Sequence, residues 1–184
     1  MIAYIIIFHL VGVILGAGGA VLSDAMFFSS IRDRKLTKTE LRFMRMGSHF
    51  VWAGLAILVT TGTIIFSSNP EFYMASTKFL AKVTIVSLII LNGIFIHIWH
   101  IPRFRRHAGH HLPSSDEFMR ARPYLMVSGA LSTTSWIWAF VLGSLSSLPF
   151  SYSLIMTAYG ANLIFAGVVA LLLMNHLIPH HRHT

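Results

Sequence analysis

The sequence predicts an all-α integral membrane protein, a helical bundle that crosses the bilayer about five times, with its N-terminus outside and its C-terminus in the cytoplasm. Apolar residues make up 55% of the 184 positions and charged residues 11%, whereas soluble domains carry about 25% charged residues. The apolar residues form long runs, and most basic residues fall in the connectors between those runs. A chain of this composition cannot build a polar surface, so a lipid bilayer is its expected solvent.

Five segments are long enough to span a membrane. A hydrocarbon core about 30 Å thick requires roughly 20 apolar residues per helix. The predicted spans are about 2–28, 47–66, 79–101, 124–145 and 152–178, within a single domain of residues 1–184. A cleaved signal peptide is the other interpretation of the first segment, but it needs a basic start and residues 1–22 carry no charge. We therefore take the first segment as a true span.

The connectors predict the orientation. Of the 14 Lys and Arg residues, six lie in the connector 31–46 and five in 102–122. On the opposite side, 67–77 has Glu71 and no base, and 146–151 is uncharged. Because basic loops stay in the cytoplasm, both long connectors and the tail are expected there. The net charge of +8 then reports topology rather than nucleic-acid binding. We expect a multi-pass protein of a bacterial inner membrane.

Small residues recur along the first predicted helix. They lie four positions apart, with one more beside them: Gly12, Gly16, Ala20 and Asp24, then Gly19. Small side chains let helix backbones approach closely in lipid. The pattern favours a helix–helix contact face; a cofactor or another subunit lying on that face is the alternative.

Two local patterns make further structural predictions. Thr37 and Glu40 have the spacing of a capping box, which predicts that a helix begins there and runs on into the second span. Ser128, Ser132 and Ser135 share one face of the fourth span, and we expect them to form hydrogen bonds between helices.

Ionisable side chains in the spans mark the candidate site, because burying them in a membrane is costly. By the rise of about 1.5 Å per residue, four His and one Asp share the cytoplasmic third of the bilayer. They are His49, His97, His100, His176 and Asp24. His9 stands alone in the outer half.

Helical periodicity predicts that these His face the interior. The stripes are His49, Trp52, Ala56 and Thr63 in the second span, Lys82, Val86, Gly93, His97 and His100 in the third, and Asn162, Ala166, Leu173 and His176 in the fifth. Each stripe carries small or polar residues, as an interior face should.

Three kinds of chemistry suit imidazoles at one depth on separate helices. Haem b takes His axial ligands and fills an apolar slot; the predicted pair is His97 or His100 with His49 or His176. Three His with Asp24 would suit a non-haem Fe, Cu or Zn ion. A proton path through the same groups is the third possibility.

Each residue also has a plainer structural interpretation. A His near the interface can simply reach headgroups and water. Asp24 can form a salt bridge with Arg32 or Arg45, and Lys82 can extend its amine outward to water. The His-rich stretches 107–111 and 180–183 can chelate metal or form a basic edge that binds anionic lipid.

One resemblance adds to these inferences. Phe8-His9-Leu10-Val11-Gly12 followed by Gly18-Gly19 resembles the first helix of HemJ-type protoporphyrinogen oxidases and the related CopD-like copper-resistance membrane proteins. Lys82, which opens an apolar helix ending in His and a basic cluster, is similar to their third helix. The resemblance covers about residues 1–106. It implies a bundle that binds haem b for redox chemistry, with His9 as a haem ligand and Lys82 near the substrate or the haem.

Three functions are therefore expected in turn. The first is a haem b membrane protein, and perhaps an oxidoreductase, that exchanges electrons with quinone or a partner redox protein. One haem is expected, because His9 has no partner His in the outer half. The second is a divalent-metal or copper transporter built on Asp24 and the His group. The third is a non-catalytic complex subunit, with the glycine face of the first helix as its docking surface; a homo-oligomer is also compatible with the sequence.

Overall fold

The fold is helical throughout the part of the chain that the computed structural model describes, residues 2–32, 37–103, 116–145 and 148–177. Six α-helices and one π-helical turn follow in order: α1 Ile2–Arg32, α2 Lys38–Ser68, α3 Pro70–Ala75, α4 Thr77–Phe95 with the π turn Ile96–His100, α5 Asp116–Ser144 and α6 Tyr152–Leu177. All but the short α3 are long and apolar enough to cross a membrane. The predicted all-α fold with five spans is confirmed, and the orientation of the termini stays a prediction.

Neighbouring spans run in opposite directions, so the bundle has two ends. Gly12 packs on Gly54 while Gly19 packs on Gly47, which makes α1 and α2 antiparallel. We call the end at which α1 begins the N-terminal end. The opposite end, where α1 and α4 finish and α2 and α5 begin, is called the basic end.

The start of α2 confirms the predicted capping box. Thr37 Oγ1 accepts a hydrogen bond from the Glu40 backbone N–H at 3.1 Å, and the Glu40 carboxylate accepts one from the Thr37 N–H at 2.8 Å. These bonds satisfy two N–H groups that a helix terminus leaves without partners. The helix therefore begins at Lys38, well before the apolar part of the span.

The connection between α2 and α4 folds back sharply through α3. Asn69 ends α2 and its side chain accepts from the Phe72 N–H at 3.2 Å, with Pro70 at the first position of α3. Ser76 then caps α4 by accepting from Phe79 N–H at 3.3 Å. Sequence reasoning expected only a connector here, because six residues are too few to show a helical period.

Glycines bring α1 and α2 into backbone contact. A Cβ added at Gly54 would lie 2.5 Å from the Gly16 nitrogen, and one added at Gly19 would lie 2.6 Å from the Gly47 carbonyl oxygen. No side chain fits between these backbones, which is how helices associate in lipid without a hydrophobic driving force. The predicted contact face of α1 is confirmed. We call this contact the glycine seam.

The other helices pack through larger side chains. α4 supplies Ala81, Ile85 and Ile89 to the buried core, where α5 and α6 meet it. Ser135 of α5 shares a 2.8 Å hydrogen bond with the Tyr159 hydroxyl of α6. The interhelical bond predicted for Ser135 is confirmed. The rest of the apolar surface is largely exposed, as it must be where lipid is the solvent.

A π turn changes the face that α4 presents at the basic end. The Ile101 N–H donates to the Ile96 carbonyl, five residues back instead of four. In a regular helix His100 would lie about 80° around the axis from Asn92, and one extra residue reduces this to about 20°. Both side chains are buried. The π turn thus rotates His100 onto the core face, away from the stripe predicted to begin at Lys82.

Two of the predicted interior residues on α2 and α6 face outward instead. His49 of α2 is exposed, and so is Asn162 of α6. The buried positions of α6 include Ile155 and Tyr159. These stripe predictions are wrong because lipid and protein core are both apolar, so hydrophobicity does not report which face of a span meets another helix.

Candidate functional site

His9 is hydrogen-bonded in a way that leaves one ring nitrogen for a ligand. Its Nδ1 lies 2.8 Å from Thr61 Oγ1 on α2. The Thr61 hydroxyl has one proton, which it donates to the Ile57 carbonyl at 2.6 Å. Thr61 Oγ1 therefore accepts from the His9 Nδ1–H, and in the neutral imidazole the lone pair is on Nε2. Metal-binding His residues are usually oriented by such a bond from their other nitrogen.

Helix packing explains why these two side chains meet. Gly47, Gly54 and Thr61 are buried at seven-residue intervals on α2, a spacing of nearly two turns that keeps them on one face. The glycine seam brings α1 against that face. His9 thus reaches Thr61 where the seam ends. Sequence reasoning missed Thr61, although the seven-residue spacing of these three residues was a usable signal.

Lys82 completes a group of polar side chains in the N-terminal half of the bundle. Its Nζ lies against α5, 4.0 Å from where a Cβ at Gly143 would stand. Gly16 packs on Trp136, and α1 and α5 are antiparallel, so His9 and Gly143 lie at similar height, each seven residues from that contact. His9 and Lys82 are close enough for their charges to interact. We call His9, Thr61 and Lys82 the His9 site.

The helices around the His9 site are spaced unequally. α1 packs most closely on α2, whereas α4 packs chiefly on α5 and α6. Between α2 and α4, aromatic rings span the distance: Phe66 stacks on Phe79 with ring centroids 5.5 Å apart, and Trp52 lies beneath Gly93. The two helix groups therefore meet through side chains rather than backbones at this boundary, so a flat group could enter by moving side chains alone.

His100 is the second buried imidazole. It is 1% exposed, and neither ring nitrogen has a hydrogen-bond partner among the described residues. Its ring packs edge-on against Phe95, with centroids 5.2 Å apart. Buried polar atoms are nearly always satisfied in proteins, and π turns are frequent at functional sites. His100 therefore stays a candidate ligand-binding residue at the basic end.

The other predicted His residues do not gather around His100. The His97 and His49 side chains are exposed, so the prediction that they face the interior is wrong. His176 lies in the last turn of α6, and its side chain falls outside the described residues. No group of three or more His, Asp or Glu among the described residues could hold a metal ion.

Asp24 is bound by a hydroxyl. Its Oδ2 accepts a hydrogen bond from Thr133 of α5 at 3.1 Å. Of its two predicted salt-bridge partners, Arg45 is exposed and the Arg32 side chain lies outside the described residues. The described structure thus makes Asp24 a link between α1 and α5.

No protein-family model, curated protein or solved structure matches this chain. The resemblance of residues 1–106 to HemJ-type oxidases and CopD-like proteins therefore stays a prediction. The geometry adds one relevant fact: the two residues on which that resemblance depends, His9 and Lys82, lie within electrostatic range of each other.

Proposed function

We propose that this chain is a haem b-binding membrane protein of electron transfer, with His9 Nε2 as the iron ligand and Lys82 close to the bound group. The observation that carries the proposal is the hydrogen bond from His9 Nδ1 to Thr61, because it fixes the tautomer that a ligating imidazole needs. When bound, haem b supplies one-electron redox chemistry.

The surroundings of His9 support this choice of cofactor. A macrocycle needs an apolar slot, and the boundary between the α1–α2 pair and α4 is filled by side chains, aromatic ones among them, rather than by close backbone contact. Lys82 supplies a positive charge that would attract a haem propionate. The residues present therefore fit a haem held by one His.

The predicted bis-His pair at the basic end has less support. His49 and His97 are exposed, which leaves His100 and His176 as the remaining pair. The proposal therefore retains one haem at the His9 site. If the basic connectors lie in the cytoplasm, this haem lies in the outer half of the bilayer. An electron partner such as quinone or a redox protein would then approach from the membrane or from outside.

An absorption spectrum tests the proposal. The protein, purified in detergent from cells supplied with haem precursor, should show a Soret band and give the haem b product in a pyridine haemochrome assay. Divalent metal without haem would favour the metal or copper transport alternative. Absence of both, with co-purification of other chains, would favour a non-catalytic subunit.

A further inference from the structure

A cavity opens at the basic end between the end of α4 and the start of α5. It has a volume of about 400 Å³ and is lined by Arg103, Glu117, Arg120, Ala121 and Tyr124. Two of its five lining side chains are guanidinium groups and one is a carboxylate, so the lining carries a net positive charge. We call it the arginine cavity.

Arg103 is positioned by two neighbours. Its Nε lies 3.4 Å from Glu117 Oε1, and its guanidinium carbon lies 5.9 Å from the ring centroid of Trp99. A carboxylate on one side and an aromatic face on the other hold the long side chain in place. The cavity therefore presents a fixed positive charge at its rim.

The depth of the cavity matches the headgroup layer. Arg103 is 26 residues beyond Thr77, the first residue of α4, or about 39 Å at 1.5 Å per residue. The hydrocarbon core is about 30 Å thick, and the bilayer with headgroups about 40–45 Å. Tyr124 is 20 residues from Ser144, the end of α5, or about 30 Å by the same rise. The cavity thus extends from the edge of the hydrocarbon at Tyr124 into the headgroup layer at Arg103.

We propose that the arginine cavity binds the phosphodiester headgroup of an anionic phospholipid. Arg103 and Arg120 attract the phosphate, and the Tyr124 hydroxyl lies where the glycerol esters would be. Trp99 and Tyr124 are 55% and 63% exposed, and they offer apolar ring surface beside the cavity for the acyl chains. Aromatic residues of this kind are enriched at the membrane interface.

Charge selects an anionic lipid over a zwitterionic one. Glu117 offsets one of the two guanidinium charges and leaves an excess of one positive charge. A zwitterionic headgroup brings no net charge to this excess, whereas phosphatidylglycerol brings one negative charge. Basic pockets between membrane helices are known to suit anionic headgroups.

The test compares lipids on purified full-length protein. Binding of phosphatidylglycerol and phosphatidylcholine is measured by native mass spectrometry from detergent, with inorganic phosphate as the third ligand. Arg120→Gln is the test variant. Arg42→Gln is the matched control, because Arg42 is an exposed base on α2 near the same end and outside the cavity. Arg120→Lys keeps the charge and checks that loss of charge, not altered folding, causes any effect.

We expect wild-type protein to prefer phosphatidylglycerol, and Arg120→Gln to weaken that binding about fivefold, the effect of removing about 1 kcal/mol per basic residue. Arg42→Gln and Arg120→Lys should bind as wild type does. Equal losses in Arg120→Gln and Arg42→Gln would overturn the proposal by showing general surface charge. Phosphatidylcholine binding as tightly as phosphatidylglycerol, or inorganic phosphate displacing it at equal concentration, would also overturn it.

Discussion

Gly54 on α2 has no room for a side chain, and Gly54→Ala is expected to separate α1 from α2. The added Cβ would lie 2.5 Å from the Gly16 nitrogen and 2.6 Å from the Gly12 carbonyl oxygen. Both atoms are backbone atoms, so neither can move without its helix. An ordinary contact begins near 3.4 Å, so the helices must move apart by about 0.9 Å, the difference between 3.4 and 2.5 Å.

Forcing a methyl group into a packed contact costs about 1–3 kcal/mol. Gly54→Ala should therefore lower the free energy of unfolding by about that amount, measured by dodecyl sulfate titration in mixed micelles with circular dichroism as the readout. Gly18→Ala is the control, because a Cβ at Gly18 on α1 meets nothing within 4 Å. It should leave the stability unchanged or raise it slightly, since Ala favours helix over Gly. Equal stability of Gly54→Ala and Gly18→Ala would refute the glycine seam.

Three further predictions concern hydrogen bonds. Thr61→Val should weaken haem binding by about 10–100-fold, the usual effect of removing a partner that orients a ligating His, while the exposed Thr63→Val should not; equal haem titrations would contradict the role of Thr61. Thr37→Ala should destabilise the first turn of α2 by about 1 kcal/mol, seen as faster amide hydrogen exchange at Glu40; unchanged exchange would exclude the capping box. A double-mutant cycle of Ser135→Ala and Tyr159→Phe should give a coupling of about 0.6 kcal/mol, typical of hydrogen bonds between membrane helices, and additive effects would contradict the bond.

The sequence was sufficient for the spans and the seam. Membrane thickness sets the length of each apolar segment, so α1, α2, α4, α5 and α6 were each predicted. Small residues have one main use in a membrane helix, which is close approach, so the contact of Gly12 and Gly16 with α2 could be anticipated as well. The capping box at Thr37 followed from local chemistry alone.

The faces of the spans were less predictable. In a soluble helix the polar face marks the solvent side, but here lipid and core are both apolar, and the pattern around His49 and Asn162 held no such signal. A second obstacle was the π turn, since a shift from four-residue to five-residue hydrogen bonds at Ile96 moves every later residue of α4 around the axis. That shift buries His100 and leaves His97 exposed.

The His9 site could be predicted in part. His9 and Lys82 were singled out because ionisable residues in a span require an explanation. Thr61 was missed, because a Thr in a membrane helix commonly bonds to its own backbone, as Thr61 also does to the Ile57 carbonyl. Only the packed structure places its oxygen within reach of His9.

The most direct test of the central claim is a haem titration of three purified proteins: wild type, His9→Ala and His97→Ala. The control is matched, since His97 is an exposed His of another span and its removal changes the composition in the same way. The proposal predicts a Soret band that saturates at one haem per chain in wild type and His97→Ala and is lost in His9→Ala. A saturable Soret band in His9→Ala equal to that of wild type, or none in wild type, would contradict it.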